Sequence, residues 1–207
     1  MKRFLVLLIA AIMLLSLFSC EVDDDDNVDI TDHTEVEVTY LSDAVRLPEY
    51  KGLIITQKSG ESRGDAVWRV VLEGSEVVEF PPSFLSYYDS QTVTKYKIIA
   101  SDANMSYAEL LEALGLTEED VKNEAKDLAT SELVAMVIIE KEALSLTDEE
   151  IERLFDKYAE KIASEIGKDV SHVKGSLVDE VYDTMLRDKM IEFLITQNTF
   201  ITENEND

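Results

Sequence analysis

Cysteine, histidine, glycine and proline are all scarce in this chain of 207 residues. A single cysteine cannot form an internal disulfide, so the fold has to be stabilised by its apolar core. Seven glycines leave little material for a phosphate-binding loop. The two histidines, His33 and His172, have no second His, Cys or Glu at metal-ligand spacing. From these scarcities we expect no cofactor, no metal centre and no enzymatic activity.

Positive charge is equally scarce. The chain has 19 Lys and Arg against 44 Asp and Glu, which gives a formal net charge of −25 at pH 7. Such a chain is repelled by phosphate backbones, so we expect no nucleic-acid partner. Pairs of carboxylates are numerous for the same reason, but on helices they are typical of solvated faces rather than of acid–base catalysis.

The N-terminus has the pattern of a targeting segment. Lys2 and Arg3 precede an apolar run over 4–15, which is followed by Leu17-Phe18-Ser19-Cys20. Cysteine directly after Leu-x-Ser resembles the lipobox of bacterial lipoproteins, in which the cysteine is lipidated and becomes the first residue. We therefore expect a signal peptide over 1–19 and a lipid-anchored, extracytoplasmic protein attached to the bacterial membrane at Cys20. An ordinary secretory signal and an N-terminal transmembrane anchor are the alternatives.

An acidic linker and short extended segments are predicted next. Residues 20–34 are rich in Asp and suggest a solvated spacer. Within 35–60, the alternating EVEVTY of Glu35 to Tyr40 and the LIIT of Leu53 to Thr56 are typical of strands. We assign 35–60 to a short β and linker segment, 61–202 to a helical domain and 203–207 to a disordered tail.

The stretch from Thr117 to Leu146 predicts the central helix of that domain. Thr117 and Asp120 have capping-box spacing, and acidic residues occupy the first turn. The run LVAMVII at 133–139 is apolar on every side, which favours a buried helix with partners on several faces, although a buried strand is the alternative. The apolar stripe expected at helical spacing comprises Val121, Ala125, Leu128, Ala129, Ala135, Met136, Ile139 and Ala143.

Other helices are predicted on both sides of the central one. Asp65 opens a short helix that ends at Gly74 and carries Trp68, which we interpret as a core anchor rather than a ligand platform. Pro81-Pro82 starts a new element, but the segment 83–100 has both helical spacing and a strand-like TVTKYKII, so local patterns leave it open. Further helices are predicted over 106–115, 147–166 and 177–194.

Several motifs from Tyr50 to Ile201, taken in order, resemble the C-terminal chaperone domain of trigger factor. Tyr50-Lys51-Gly52-Leu53 matches the family's Y-K-G-L segment, and Pro81 to Leu85 is similar to the start of its Pro-led long helix. The later matches are Met105-Ser106-Tyr107 with Leu110, Leu111 and Gly115, then Glu142 with Leu144, Leu146 and Thr147 to Ile151, and finally Lys189 to Leu194 with Asn198.

The resemblance implies a mainly α, elongated domain whose arm-like helices enclose a cradle for unfolded chains, with short N-terminal β segments beside it. Parvulin-type periplasmic chaperones use a similar helical module. The resemblance also favours a helix over 83–100. It does not extend to the family's ribosome-docking domain or its Gly-Phe-Arg-x-Gly-Lys loop, so no ribosome docking is implied. Only 28 residues separate Gly52 from Pro81, too few for the family's isomerase domain, so prolyl isomerase activity is not implied either.

Together, the lipobox-like motif and the resemblance to trigger factor favour a membrane-anchored chaperone that holds unfolded or newly secreted polypeptides. The alternative is a structural or adaptor lipoprotein that binds one folded partner, and a third hypothesis is an enzyme accessory subunit. Aromatic and methionine side chains suit contacts with diverse sequences. The candidate polypeptide-binding residues are Phe84, Tyr87, Tyr88, Phe155, Tyr158, Met185 and Phe193.

Overall fold

The computed structural model describes residues 41–202. The predicted signal peptide, Cys20, the acidic linker, the strand at 35–40 and the tail at 203–207 lie outside that range. The elements in chain order are α1 (Leu41–Ala44), β1 (Val45–Arg46), β2 (Ile54–Gln57), α2 (Arg63–Gly74), β3 (Glu76–Val77), α3 (Phe84–Asp102), α4 (Tyr107–Leu114), α5 (Glu118–Lys141), α6 (Asp148–Ile166), α7 (Val170–Ser176), α8 (Val178–Thr196) and β4 (Thr199–Thr202). The prediction of a mainly helical fold is confirmed.

The central helix is α5, and its start agrees with the sequence pattern. The Thr117 side chain accepts a hydrogen bond from the Asp120 N–H, and the Asp120 carboxylate in turn accepts one from the Thr117 N–H, so the capping box is complete. The LVAMVII run is helical, which excludes the strand alternative. The helix ends at Lys141, five residues before the predicted end at Leu146, because Ala143 takes a positive φ of 48°.

Three separate apolar cores lie within residues 41–202, and α5 passes through two of them. The body contains the second half of α5, the second half of α8, helix α2 and strands β1 and β2. Within it Leu133, Val134 and Ile138 are fully buried. Ile139, which was expected in the buried stripe, is partly buried at the edge of this core. The segment of α5 that is apolar on all sides, 133–139, therefore lies in the body, where several other elements pack on it.

Arm 1 is the part of the molecule built by α3, α4 and the first half of α5. Its core contains Tyr96, Ile99, Leu110, Leu111 and Val121. Because α3 covers 84–102 without interruption, the helix–strand conflict at 83–100 is decided for helix. A buried polar group also joins its helices, as the Lys95 ammonium pairs with Glu124, and the Tyr96 hydroxyl donates to the same carboxylate at 2.6 Å.

Arm 2 is built by α6, α7 and the first half of α8. Helix α6 begins with the predicted capping box of Thr147 and Glu150 and ends at Gly167, which has a φ of 63°. Its inner face packs against α7 and α8 through a core that contains Ala159, Ile162, Val173 and Val181. Helix α7 had not been predicted, since seven residues with a glycine carry too little periodicity.

Two small strand pairs belong to the body. β1 pairs antiparallel with β3, and β2 pairs in parallel with β4, with Ile54 opposite Thr199 and Thr56 opposite Ile201. The second pair joins segments at opposite ends of the described chain, so β4 could not be found from local sequence. Ile55 points into the core while Ile54 lies on the outer face.

Candidate functional site

The motifs that carry the family resemblance meet in the body and join its segments. The Tyr50 hydroxyl donates to Glu142 at 2.6 Å, and the Lys51 ammonium donates to the same carboxylate at 2.7 Å. The hydrogen bond from Lys51, followed by that from Tyr50, lowers the pKa of Glu142. Burial, reinforced by the bond to Glu142, raises the pKa of the Tyr50 hydroxyl. These residues therefore attach the N-terminal segment to the end of α5.

Asn198 makes the second of these joints. Its side-chain amide donates to the Tyr50 carbonyl at 3.0 Å and to the Leu194 carbonyl at 2.7 Å, and its side-chain oxygen accepts from the Leu53 N–H at 2.8 Å. One side chain thus satisfies three backbone groups, on the turn before β2 and on the last turn of α8. This arrangement sets the register of the parallel β2–β4 pair.

Lys189 makes the third joint, between α8 and the start of arm 2. Its ammonium donates to Glu150 at 2.6 Å and to the Ser145 carbonyl at 2.8 Å. The bond from Lys189 and the backbone bond at the helix cap together lower the pKa of Glu150. All three joints are structural, so the motif residues position the arms rather than form a reactive centre.

A chain of aromatic rings lies at the base of arm 1, where α3 begins. The ring of Phe84 stacks on Phe80 with a centroid distance of 6.3 Å and contacts Tyr88 at 5.2 Å. Tyr87 meets Tyr88 edge-on at 5.3 Å, and 58 % of Tyr87 is exposed. The sequence prediction grouped Phe84, Tyr87 and Tyr88 on one helix, and the structure places the three rings in contact.

Arg187 connects this aromatic cluster to the body. Its guanidinium on α8 pairs with Glu132 on α5, donates to the Ser131 hydroxyl at 2.9 Å, and lies 5.6 Å from the ring centre of Trp68 on α2. Three helices therefore converge on one side chain, at the point where both arms meet the body. Trp68 is half-buried here and serves both the core and this surface.

Carboxylates surround the aromatic rings at this point. Burial, followed by the nearby charge of Glu132, raises the pKa of Tyr88 to about 12. Burial and then Glu132 likewise raise the pKa of Asp183 above its usual range. We call the set Trp68, Tyr87, Tyr88, Leu128, Glu132, Asp183 and Arg187 the inter-arm surface. Glu132 is neutralised by Arg187, whereas Asp183 forms no salt bridge within residues 41–202, so the surface presents aromatic area next to one uncompensated carboxylate.

Leu128 is the one aliphatic side chain of the inter-arm surface, and the sequence pattern predicted its burial wrongly. The stripe on α5 predicted Leu128 to be buried, but 45 % of it is exposed. It lies seven residues after Val121, at nearly the same angle around the helix, and Val121 is 1 % exposed. Val121 belongs to the arm 1 core with residues of α3 and α4, whereas Leu128 belongs to none of the three cores. Leu128 is also one turn before Glu132 on the same helix face, and the charge of Glu132 acts on Tyr88.

The other predicted binding residues lie elsewhere. Phe155 packs on Tyr182 within arm 2 with a ring distance of 5.5 Å, and the Tyr158 hydroxyl donates to Asp188 at 2.8 Å. Met185 is 2 % exposed and packs in the arm 2 core. Phe193 packs at the edge of the body, and the Lys51 ammonium lies 5.3 Å from its ring centre.

Residues 41–202 contain no group of three or more His, Cys, Asp or Glu side chains placed to hold a metal ion. Within the same range, no helix combines the length and the apolar character that crossing a bilayer requires. The inter-arm surface offers aromatic faces, one aliphatic side chain and carboxylates, which are groups suited to non-covalent binding.

Comparisons with known proteins agree with this architecture. The family model of the bacterial trigger factor protein C-terminus matches residues 61–196. The chain is 22% identical over 190 residues to the trigger factor of Caldicellulosiruptor saccharolyticus, which covers 88% of this chain and 42% of that protein. It is 26% identical over 171 residues to the trigger factor of Pelobacter propionicus, covering 77% of this chain and 37% of that protein. The chain thus spans about two fifths of the length of these relatives. No solved structure matches it significantly.

Proposed function

This chain belongs to the family of the bacterial trigger factor C-terminus, and from that membership we propose that it is a chaperone that holds unfolded polypeptides at the inter-arm surface. The observation that carries the proposal is the exposure of two large side chains near the point where the arms meet the body. These are Tyr87, whose ring meets Tyr88, and Leu128, which lies one helical turn before Glu132 on α5. Large apolar side chains left open at a junction of helices are typical of binding sites.

Holding at this surface needs shape and apolar contact rather than specific hydrogen bonds. Tyr87 and Leu128 offer apolar area to a client segment, while Phe84 and Arg187 keep the rings and helices in place from behind. Each contact is weak, so a client leaves readily and can fold after release. The net charge of −25 keeps the loaded complex apart from others of its kind.

The client class follows from the proposed location. The lipobox-like Leu17-Phe18-Ser19-Cys20 supports an extracytoplasmic protein that is lipid-anchored to the membrane at Cys20. Its clients would then be unfolded or partly folded secreted proteins, met as they emerge from the membrane, without ribosome docking. Acidic residues outnumber basic ones by 44 to 19 in the chain. Because such a protein is repelled by anionic lipid, the acyl chain is left as the membrane contact.

The proposed activity is the prevention of aggregation, without prolyl isomerisation. The residues between Gly52 and Pro81 form β2, α2 and β3, which pack on the body.

The test compares exposed apolar residues inside and outside the inter-arm surface. Tyr87→Ser and Leu128→Ser remove apolar area at the surface, whereas Ile54→Ser removes a side chain that is 73 % exposed on strand β2. A fragment of residues 21–207 is mixed with a denatured model client, and light scattering follows aggregation. We expect Tyr87→Ser and Leu128→Ser to weaken suppression, with Ile54→Ser equal to wild type and all three melting within a few degrees of it.

Two outcomes would overturn the proposal. If Ile54→Ser weakens suppression as much as the other two variants, the effect reflects general surface hydrophobicity. If the wild-type fragment suppresses nothing but captures one folded partner, the adaptor alternative replaces the chaperone role.

A further inference from the structure

Helix α8 has a second face, which is turned away from the inter-arm surface and borders a cavity. Arg187 and Asp183 lie on the inter-arm side. At about 100° per residue, Glu192 lies roughly 180° around α8 from Asp183, and Asp188 lies roughly 140° from Asp183. Glu192 and Asp188 line a cavity of about 420 Å³ between α8 and the first half of α6. Its volume falls within the roughly 300–1,000 Å³ of typical ligand pockets.

The cavity has an apolar lining with a charged rim. Leu146, Leu154 and Ile191 provide aliphatic surface. On the rim, Lys189 is neutralised by Glu150 at 2.6 Å, which leaves Asp188 and Glu192 as the excess charge.

The two excess carboxylates differ in their partners. Asp188 accepts the hydroxyl hydrogen bond of Tyr158 at 2.8 Å. Glu192 is exposed and forms no salt bridge within residues 41–202. Both carboxylates act on the same ring, since burial, followed by the bond to Asp188 and the charges of Asp188 and Glu192, raises the pKa of Tyr158 to about 12.

We propose that this cavity is a second binding site, which takes an aliphatic side chain of a partner polypeptide that carries Lys or Arg beside it. The apolar lining accepts the aliphatic group, and Glu192 with Asp188 pairs with the neighbouring cation. An acidic segment is repelled by the same carboxylates, so charge selects the partner. The site does not depend on holding at the inter-arm surface, because α8 separates the two.

The experiment uses three short fluorescein-labelled peptides and fluorescence anisotropy. The first contains Leu, Lys and Ser, the second has Glu in place of each Lys, and the third has Ser in place of each Leu. The protein variants are Glu192→Lys at the rim and Glu160→Lys as its matched control. Glu160 is exposed and lies about 200° around α6 from Tyr158, so both variants change the net charge equally.

We expect the first peptide to bind wild type and Glu160→Lys with the same affinity, and Glu192→Lys about tenfold more weakly. The second and third peptides should bind poorly to all three proteins. Equal affinity of the first peptide for Glu192→Lys and Glu160→Lys would overturn the site, because the binding would then reflect net charge alone. Tyr87→Ser is expected to leave this affinity unchanged. A loss there would place the peptide at the inter-arm surface, which would contradict the second site without contradicting the holding role.

Discussion

At the scale of single residues, four helices in the described range end with the same backbone geometry, although the residue that adopts it is glycine in only two of them. Helices α3, α4, α5 and α6 are each followed by a residue of positive φ, and these residues are Asn104, Gly115, Ala143 and Gly167. In each case the next residue donates its N–H back to a carbonyl five residues earlier, as Leu144 does to Ile139 at 2.9 Å. This Schellman arrangement favours glycine and tolerates asparagine. Ala143 is the exception, since its Cβ is strained at a φ of 48°.

Ala143→Gly should therefore stabilise the protein. Relief of the left-handed strain exceeds the added flexibility of the unfolded chain, for a net gain of about 0.5–1 kcal/mol in the free energy of unfolding. Urea denaturation followed by circular dichroism measures it. The control is Ala103→Gly, where φ is −83° and glycine brings no relief, so it should destabilise by about 0.4–1 kcal/mol. Equal effects of both changes would show that Ala143 is not strained.

At the scale of whole elements, α5 changes its surroundings along its length. Its first half has neighbours on one side, from α3 and α4, and its second half is enclosed by α1, α2, α8 and β1. The body is closed by contacts between distant segments, above all by Asn198, which links the turn before β2 to the end of α8. Local helix formation alone would leave these segments unattached.

Asn198→Ala should destabilise the body by about 1–3 kcal/mol, because it leaves the Tyr50 carbonyl and the Leu53 N–H without their partner. The midpoint of urea denaturation measures the loss. Gln197→Ala, at an exposed neighbouring position, should change stability by less than about 0.5 kcal/mol. If the two variants denature at the same urea concentration, Asn198 is not the joint that closes the β2–β4 pair.

At the scale of the whole molecule, the arrangement of cores suits a protein that binds at its junctions. Each arm has a core of its own, and the body holds the helices from which both arms extend. The two proposed binding surfaces, the inter-arm surface and the cavity beside α6, lie where the cores meet. The proposed lipid anchor would place both surfaces near the membrane while the acidic linker separates them from it.

The proposed anchor is tested by changing the single cysteine. Cys20→Ala removes the only thiol of the chain, so the protein should leave the membrane fraction or remain as an uncleaved precursor. Membrane fractionation and intact mass measure the two outcomes. Ser19→Ala keeps a small residue before the cysteine and should leave fractionation unchanged. Wild-type mass and membrane association in Cys20→Ala would refute lipidation.

The local sequence determined the ends of helices α4, α5 and α6, because the signals that start and stop a helix are local. The capping boxes at Thr117 and Thr147 and the glycines at 115 and 167 involve neighbours within a few residues, and each is found where its pattern predicts it. The apolar-all-round run of α5 likewise indicated that several elements pack on it, and they do.

Only the tertiary structure decided which apolar residues remain exposed and which segments meet. Leu128 and Val121 are equivalent in helical periodicity, yet only Val121 is covered, because only Val121 packs into the arm 1 core with α3 and α4. Strand β4 exists only through its pairing with β2, and Arg187 finds Glu132 and Trp68 only after three helices converge. Periodicity gives the direction of a side chain, whereas its burial depends on the length and position of a partner element elsewhere in the chain.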